Sequence, residues 1–283
     1  MLKTILLADS GMGHSEEMLK YLMELPSIRR AEIAILHVVP PQITTDAVTA
    51  KWEEGSKIVA NAIQRLNLDP NQVSTILRQG EPKDTVVQVA DEIDADLIIM
   101  GSRGLGRLEA ILENSVSQYV FQLSNRPLLV VKDNIYVTTL KRIMVAMDRS
   151  DAAQYCLDLA LFLLRDLRST QLVLVHIDLN LQPESGSIPT SEAEKDPVLA
   201  PAVAKAKKQG IAYRCVATGG NPAKTICHLS QQEKIDLLML GSPERRPSVA
   251  KSLPDLDRLL GSSLSDYVRI HADCPVLLGR TLA

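Results

Sequence analysis

The chain predicts an α/β protein: two tandem copies of a five-stranded, mostly parallel domain, held together as an internal pseudo-dimer. Three observations carry this. Short continuous apolar runs alternate with helical patterns, and strand–helix alternation gives a parallel sheet with helices on both faces. The second half repeats the landmarks of the first, in the same order, at an offset of about 140 residues. The chain has 283 residues, 46% of them hydrophobic, which suffices for two modest cores.

In the first copy, Ile5–Ala8, Ile33–Val39, Leu97–Met100 and Leu128–Val131 are apolar without interruption, the pattern of strands buried on both faces. Val73–Arg78 is a fifth, less apolar strand. Between them, Ser15–Leu25 places Met18, Leu19, Leu22 and Met23 at helical spacing. Trp52–Leu66 does the same with Ile58, Val59, Ala62, Ile63 and Leu66. Pro82 stands at a first helical position, ahead of Val86, Val87, Ala90 and Ile93. Ser115–Leu123 is the last helix.

The second copy is read by superposition. Asp9 meets Asp148, His37 meets His176, and "RQGEPKDTVV" meets "ATGGNPAKTI". "DADLIIMGS" meets "KIDLLMLGS", "NSVSQYV" meets "SSLSDYV", and "NRPLLVVK" meets "DCPVLLGR". The domains are drawn at 1–134 and 140–283. Their joint, "DNIYVTTL", is short and has no Gly or Pro, so the copies sit close together. Each copy ends in an apolar edge strand, Leu128–Val131 and Val276–Leu278, with no charge inside the run. Such edges need cover. The two copies are therefore expected to pair strand against strand around a pseudo-twofold axis.

Composition narrows the function. A net charge of −3 gives no global field for nucleic acid or an anionic membrane. Aromatic residues are 3% of the chain, too few for base-stacking on single strands. No apolar stretch reaches the roughly 18 residues of a membrane span, and the N-terminus lacks a signal peptide's pattern. Cys156, Cys215, Cys227 and Cys274 form no C-x-x-C pair and read as buried, reduced thiols of a cytoplasmic protein. No nucleophile–base pair, carboxylate dyad or metal triad emerges, which favours a binding module over an efficient enzyme.

The candidate site gathers at one rim. Gly101 and Gly104 follow a strand directly, and glycines there let backbone N–H groups approach an anion. Ser115 and Ser117 open the next helix, whose N-terminus offers unpaired donors and a partial positive charge. Asp9 ends the first strand at the same rim, where a carboxylate can accept from a ribose or a base. Singly, such a glycine is a turn and such a serine a cap. The spacing G-x-x-G, nine residues, then a small polar pair is more specific. "GMGHS" begins like a dinucleotide fingerprint, but Glu16 stands where its third glycine belongs. His37 and His176 read as core histidines, and Arg103 and Arg107 flank the glycines.

On these residues the chain resembles the universal stress protein family in its tandem form. The family pattern stands here as Gly101, Gly104, then Asn114, Ser115, Val116 and Ser117. Asp9 matches the acid ending strand one, Val38 the strand-two segment that faces adenine, and Met100 precedes the first glycine. The resemblance implies a sheet ordered 3-2-1-4-5 and, in many members, ATP binding. The third glycine is Asn114, the least costly replacement where a left-handed backbone is needed. A weaker second site comprises Asp148, Gly241, Ser262, Ser263 and Ser265, with Glu244 in place of a glycine and a loop about eight residues longer.

The expectation is an adenine-nucleotide sensor or regulator of the stress response, with ATP, accompanied by Mg²⁺, in the first copy. The stretches 180–197 and Pro243–Asp257 are read as exposed loops suited to a protein partner. The alternatives are a nucleotide-free scaffold and a very slow ATPase.

Overall fold

The computed structural model describes residues 2–12, 14–103, 115–181, 190–242 and 264–280. The first copy runs β1 (Thr4–Ala8), α1 (Ser15–Met23), β2 (Glu32–Val39), α2 (Thr45–Leu66), β3 (Val73–Gln79), α3 (Pro82–Glu92), β4 (Leu97–Ser102), α4 (Val116–Leu123) and β5 (Leu128–Lys132). The second runs β6 (Arg142–Ala146), α5 (Asp151–Leu164), β7 (Gln171–Ile177), α6 (Thr190–Ala193), α7 (Leu199–Lys208), β8 (Tyr213–Thr218), α8 (Pro222–Gln232), β9 (Leu237–Gly241), α9 (Leu264–His271) and β10 (Val276–Gly279).

These strands form one sheet in the order β3-β2-β1-β4-β5-β10-β9-β6-β7-β8. The first copy therefore has the order 3-2-1-4-5, and the second repeats it from the opposite end. Pairing within each copy is parallel. The join is antiparallel, with Val276 opposite Val130, Leu277 opposite Leu129 and Leu278 opposite Leu128. The two apolar edges thus cover each other, as their sequences demand.

The uninterrupted apolar runs follow from burial on both faces. Along β1, Ile5 and Leu7 point into the core shared with α1 and α2, while Leu6 points into the core shared with α3 and α4. The same alternation separates Ile99 from Ile98 and Val131 from Val130.

Two element boundaries differ from the sequence reading. Helix α2 starts at Thr45, well before Trp52, because Thr44 Oγ1 accepts from the Ala47 N–H (3.4 Å) and caps it. Within the stretch read as an exposed loop at 180–197, Thr190–Ala193 form α6, and residues 182–189 lie outside the described residues. There Thr190 Oγ1 donates to the Cys215 carbonyl (3.2 Å). Asp196 Oδ1 accepts from the N–H groups of Val198 and Leu199 (2.8 and 3.1 Å) and leads into α7. The loop 243–257 lies outside the described residues. Among the described residues no helix is long and apolar enough to cross a membrane.

The cysteines are free thiols, three buried and Cys227 half-buried. Burial pushes Cys156 and Cys274 up to about 12, so neither is a ready nucleophile.

Candidate functional site

Strands β1 and β4 are neighbours, yet the chain winds from β1 towards β3 on one side and from β4 to β5 on the other. At such a reversal the connections leave the strand ends in opposite directions and open a crevice. Here the crevice is a cavity of about 490 Å³. It joins an apolar half, with Leu36, Val38, Ile58, Val86 and Met100, to a polar half at Gly101, Ser115 and Ser117.

The sequence-predicted residues Asp9, Val38, Met100, Gly101, Ser115, Val116 and Ser117 all line this cavity. Gly104 and Asn114 lie outside the described residues. A Cβ on Gly101 would stand 3.7 Å from Asp133 Oδ1 and 3.7 Å from the Met12 carbonyl oxygen, an ordinary contact. A Cβ at Gly101 therefore fits without displacing a neighbour. Ser115 stands at the N-cap of α4, but its hydroxyl makes no cap; it lies 3.3 Å from Ser117 Oγ. Two hydroxyls and the first N–H groups of a helix thus face one corner, an anion-binding arrangement.

Asp9 is held on three sides. Its N–H donates to the Leu36 carbonyl (2.9 Å), and its Oδ1 accepts from the Gly11 N–H (2.9 Å). Its carbonyl oxygen lies 2.8 Å from His37 Nδ1, and since a carbonyl only accepts, His37 carries its proton on that nitrogen. The side chain is buried, and Oδ2 has no donor. Glu16, a buried acid in the first turn of α1, is within electrostatic reach of Asp9. Burial, then the negative charge of Asp9, push Glu16 up to about 7, while Arg65 pulls the other way. Arg65 Nη2 lies 2.7 Å from Glu16 Oε1.

The cavity also takes in residues the sequence reading left aside. His37, read as a core histidine, is half-buried and part of the wall. Asp133, just past β5, and Lys51 and Glu54, an ion pair of 2.6 Å on α2, complete it. Asp133 had a sequence signal, being the acid that follows a strand ending at the same rim. Arg103 lines the wall as well, and Arg107 lies outside the described residues.

The second copy is built differently at the matching place. A Cβ on Gly241 would stand 2.5 Å from the Ala153 nitrogen and 2.8 Å from the Ala152 carbonyl carbon. The first turn of α5 therefore rests directly on the strand end that is open in the first copy. Asp148 is exposed, and its Oδ1 accepts from the Ser150 N–H (2.8 Å) and hydroxyl (2.5 Å). Ser265 is buried at the start of α9, while Ser262 and Ser263 lie outside the described residues.

An open parallel sheet with a crevice at its strand-order reversal defines a doubly wound α/β protein of the ligand-binding kind. The chain belongs to the universal stress protein family, whose model matches residues 1–132 and again 139–280. A universal stress protein of Bacillus subtilis, YxiE, is 31% identical over 148 residues, which is 47% of this chain and all of that one. A universal stress protein of Thermus aquaticus is 30% identical over 139 residues, again 47% of this chain and all of its own. A universal stress protein structure from Archaeoglobus fulgidus shares the fold over 98% of this chain and 96% of its own, with a TM-score of 0.75 and 22% identity. Single-copy relatives thus match about half of the chain, and the fold of both halves together also exists in another protein.

Proposed function

We propose that the first copy binds an adenine nucleotide, ATP foremost, and that the protein works as a nucleotide-responsive regulator in the stress response. The observation that carries this reading is the division of the 490 Å³ cavity, which falls in the usual size range of small-molecule sites. Its apolar half suits a planar base. Asp9, at the junction, suits a ribose hydroxyl or an exocyclic amine. Gly101, Ser115 and Ser117 suit phosphate.

Among the described residues no cluster of three or more acidic, histidine or cysteine side chains would hold a metal by itself. The rim does present Asp133 beside Gly101. Mg²⁺ fits such a site when nucleotide phosphates supply most of its oxygens and a carboxylate adds one. In this reading Mg²⁺ arrives with the nucleotide.

The second copy, in this proposal, serves the sheet and not a ligand, because α5 occupies the space before Gly241. The functional units are residues 1–134 and 140–283, and the protein acts in the cytoplasm.

Calorimetry with ATP, ADP and AMP tests the proposal, together with the small-molecule content of purified, denatured protein. About one nucleotide per chain is expected. Gly101→Val should abolish binding and leave the fold intact, since a Cβ there meets nothing closer than 3.7 Å. Two equal sites per chain, full binding by Gly101→Val, or no heat with any adenine nucleotide near a millimolar would defeat the reading.

A further inference from the structure

The ten-stranded sheet ends in two edge strands, β3 in the first copy and β8 in the second. The chain treats them differently. In β8 four of six residues are buried, and in β3 none of seven is. The Gly80 N–H donates to the Val39 carbonyl (3.0 Å), so by the alternation of a parallel ladder Ser74, Ile76 and Arg78 direct their backbone groups at β2. The N–H and C=O of Thr75 and Leu77 then point outward. In β8 the Asp178 N–H donates to the Thr218 carbonyl, and the same alternation turns Cys215 outward. There the edge is sealed. Thr190 Oγ1 of α6 donates to the Cys215 carbonyl (3.2 Å). Beside it the Tyr213 hydroxyl donates to Glu194 Oε1 (2.8 Å), and Lys207 holds Glu194 (2.8 Å).

Superposing His37 on His176 puts Thr75 on Cys215. The connection from β2 to α2 is only residues 40–44 and brings no such cover. Among the described residues no other segment bonds to the backbone of Thr75 or Leu77. An edge of β-branched and aliphatic residues without proline is the kind that pairs with another strand. Its one charge, Arg78, is already met by Glu92 (2.9 Å).

We propose that β3 is the docking edge for a second copy of this chain, the two β3 strands pairing antiparallel about a twofold axis at Ile76. The register follows from which groups are free. Outward residues must exchange hydrogen bonds with outward residues, so Thr75 of one chain pairs with Leu77 of the other. Ile76 then meets Ile76, Ser74 meets Arg78, and all seven residues of the strand find a partner. No like charges stand opposite each other. The chain already joins its own two copies in this way, with the apolar edges β5 and β10 antiparallel. Repeating the operation at β3 makes one sheet of two chains.

Helix α2 leaves room for the partner. Its Lys51, Glu54 and Ile58 line the cavity and its Arg65 reaches α1, so Trp52 and Ser56 lie on the opposite flank, towards the β3 edge. With Thr49, Glu53, Lys57 and Ala60 they line a shallow hollow of about 480 Å³. A Cβ on Gly55 would meet His37 of β2 and Leu77 of β3, so α2 lies over the line between these strands. In the dimer the two α2 helices stand two to three strand spacings apart, about 10–14 Å, close enough for Trp52 to cross and wide enough to avoid a clash.

Sedimentation of the whole chain from about a micromolar to about a millimolar tests the proposal. The 31.0 kDa chain should pass to a species of twice that mass as concentration rises. Amide exchange at Thr75 and Leu77 should slow in the dimer, while the Ser74, Ile76 and Arg78 amides, already bonded to β2, change little. Thr75→Pro removes an outward donor that β2 does not use, at an edge position where proline is tolerated. It should leave the circular dichroism spectrum unchanged and weaken the dimer at least about tenfold, the loss of two hydrogen bonds by symmetry. Ser74 is exposed and reads the register. Ser74→Arg sets like charges across the join and should weaken association several-fold, whereas Ser74→Glu faces Arg78 and should strengthen it. If Thr75→Pro unfolds, the two Ser74 variants carry the test alone. A chain that stays monomeric at a millimolar would overturn the proposal, and protection of the Thr75 and Leu77 amides by an added extended peptide would then assign the edge to another protein's strand. A dimer unmoved by Thr75→Pro places the contact elsewhere, and equal effects of Ser74→Arg and Ser74→Glu refute the register.

Discussion

Glu16 shows how one side chain can be written plainly in the sequence and still be missed. It lies at i, with Leu19 at i+3 and Met23 at i+7, so it shares the buried face of α1 with core residues. An acid on an apolar face is the informative exception to inside–outside patterning, whereas the reading of "GMGHS" treated Glu16 merely as a failed glycine. Its partner Arg65 is 49 residues away, and only the packing of α2 on α1 brings them together. The raised value has a consequence for stability. An acid whose folded-state value lies above its unfolded one stabilises the fold fully at low pH. That contribution is lost as pH rises from about 4.5 through about 7. Glu16→Gln should therefore stabilise the protein relative to the wild type at pH 8, by up to about 2–3 kcal/mol, and by little at pH 5. Urea denaturation at the two pH values checks this, and an equal difference at both would contradict the assigned ionisation.

At the scale of elements, the strands were legible because burial on both faces leaves continuous apolar runs such as Ile33–Val39, and the duplication supplied each pattern twice. The start of α2 was not, because Thr45–Lys51 carries no buried residue to mark a helical face and Thr44 is one of two adjacent threonines, either of which could cap. In the site, residues at strand ends and helix starts were legible, since Asp9, Gly101, Ser115 and Ser117 follow from chain order alone. The closing of the second crevice was not, because it depends on how far α5 slides over β9. Two matched glycines report that difference. Gly241→Ala forces a methyl to within 2.5 Å of the backbone of α5, which cannot yield as a side-chain tip would. It should cost about 1–3 kcal/mol. Gly101→Ala meets nothing closer than 3.7 Å and should change stability by no more than about 0.5 kcal/mol. Thermal or chemical denaturation of the pair measures the contrast, and equal losses would mean that the two rims are built alike.

Across the whole molecule, the antiparallel join is reinforced by an exchange of cations. Lys132, past the middle of the join, donates to the Ile270 carbonyl of the second copy (3.1 Å). Its counterpart Arg280 donates to the Ser124 carbonyl of the first copy (2.8 Å) and to the Phe121 carbonyl, and lies over the Phe121 ring at 5.1 Å. Between them Gln118 Nε2 donates to Asp266 Oδ1 (3.0 Å), and Arg269 donates to Gln118 Oε1. Gln118 and Asp266 are equivalent positions in the two copies. A pairing of two second copies would set Asp266 against Asp266 in a buried place, so these residues favour the unlike pair. With the sheet continuous and the join buried, the two copies should unfold as one unit. The chain contains one tryptophan, Trp52, and it belongs to the first copy. Arg280→Ala removes a buried cation from the second copy and strips two carbonyls of the first of their donor. It should cost about 2–4 kcal/mol. In the wild type, Trp52 fluorescence and circular dichroism should trace the same denaturation curve. In Arg280→Ala the Trp52 transition should shift to lower denaturant, although the substitution lies in the other copy. If circular dichroism shifts and the Trp52 transition stays where it was, the copies unfold independently, and the ten-stranded sheet joins them in space without coupling their stability.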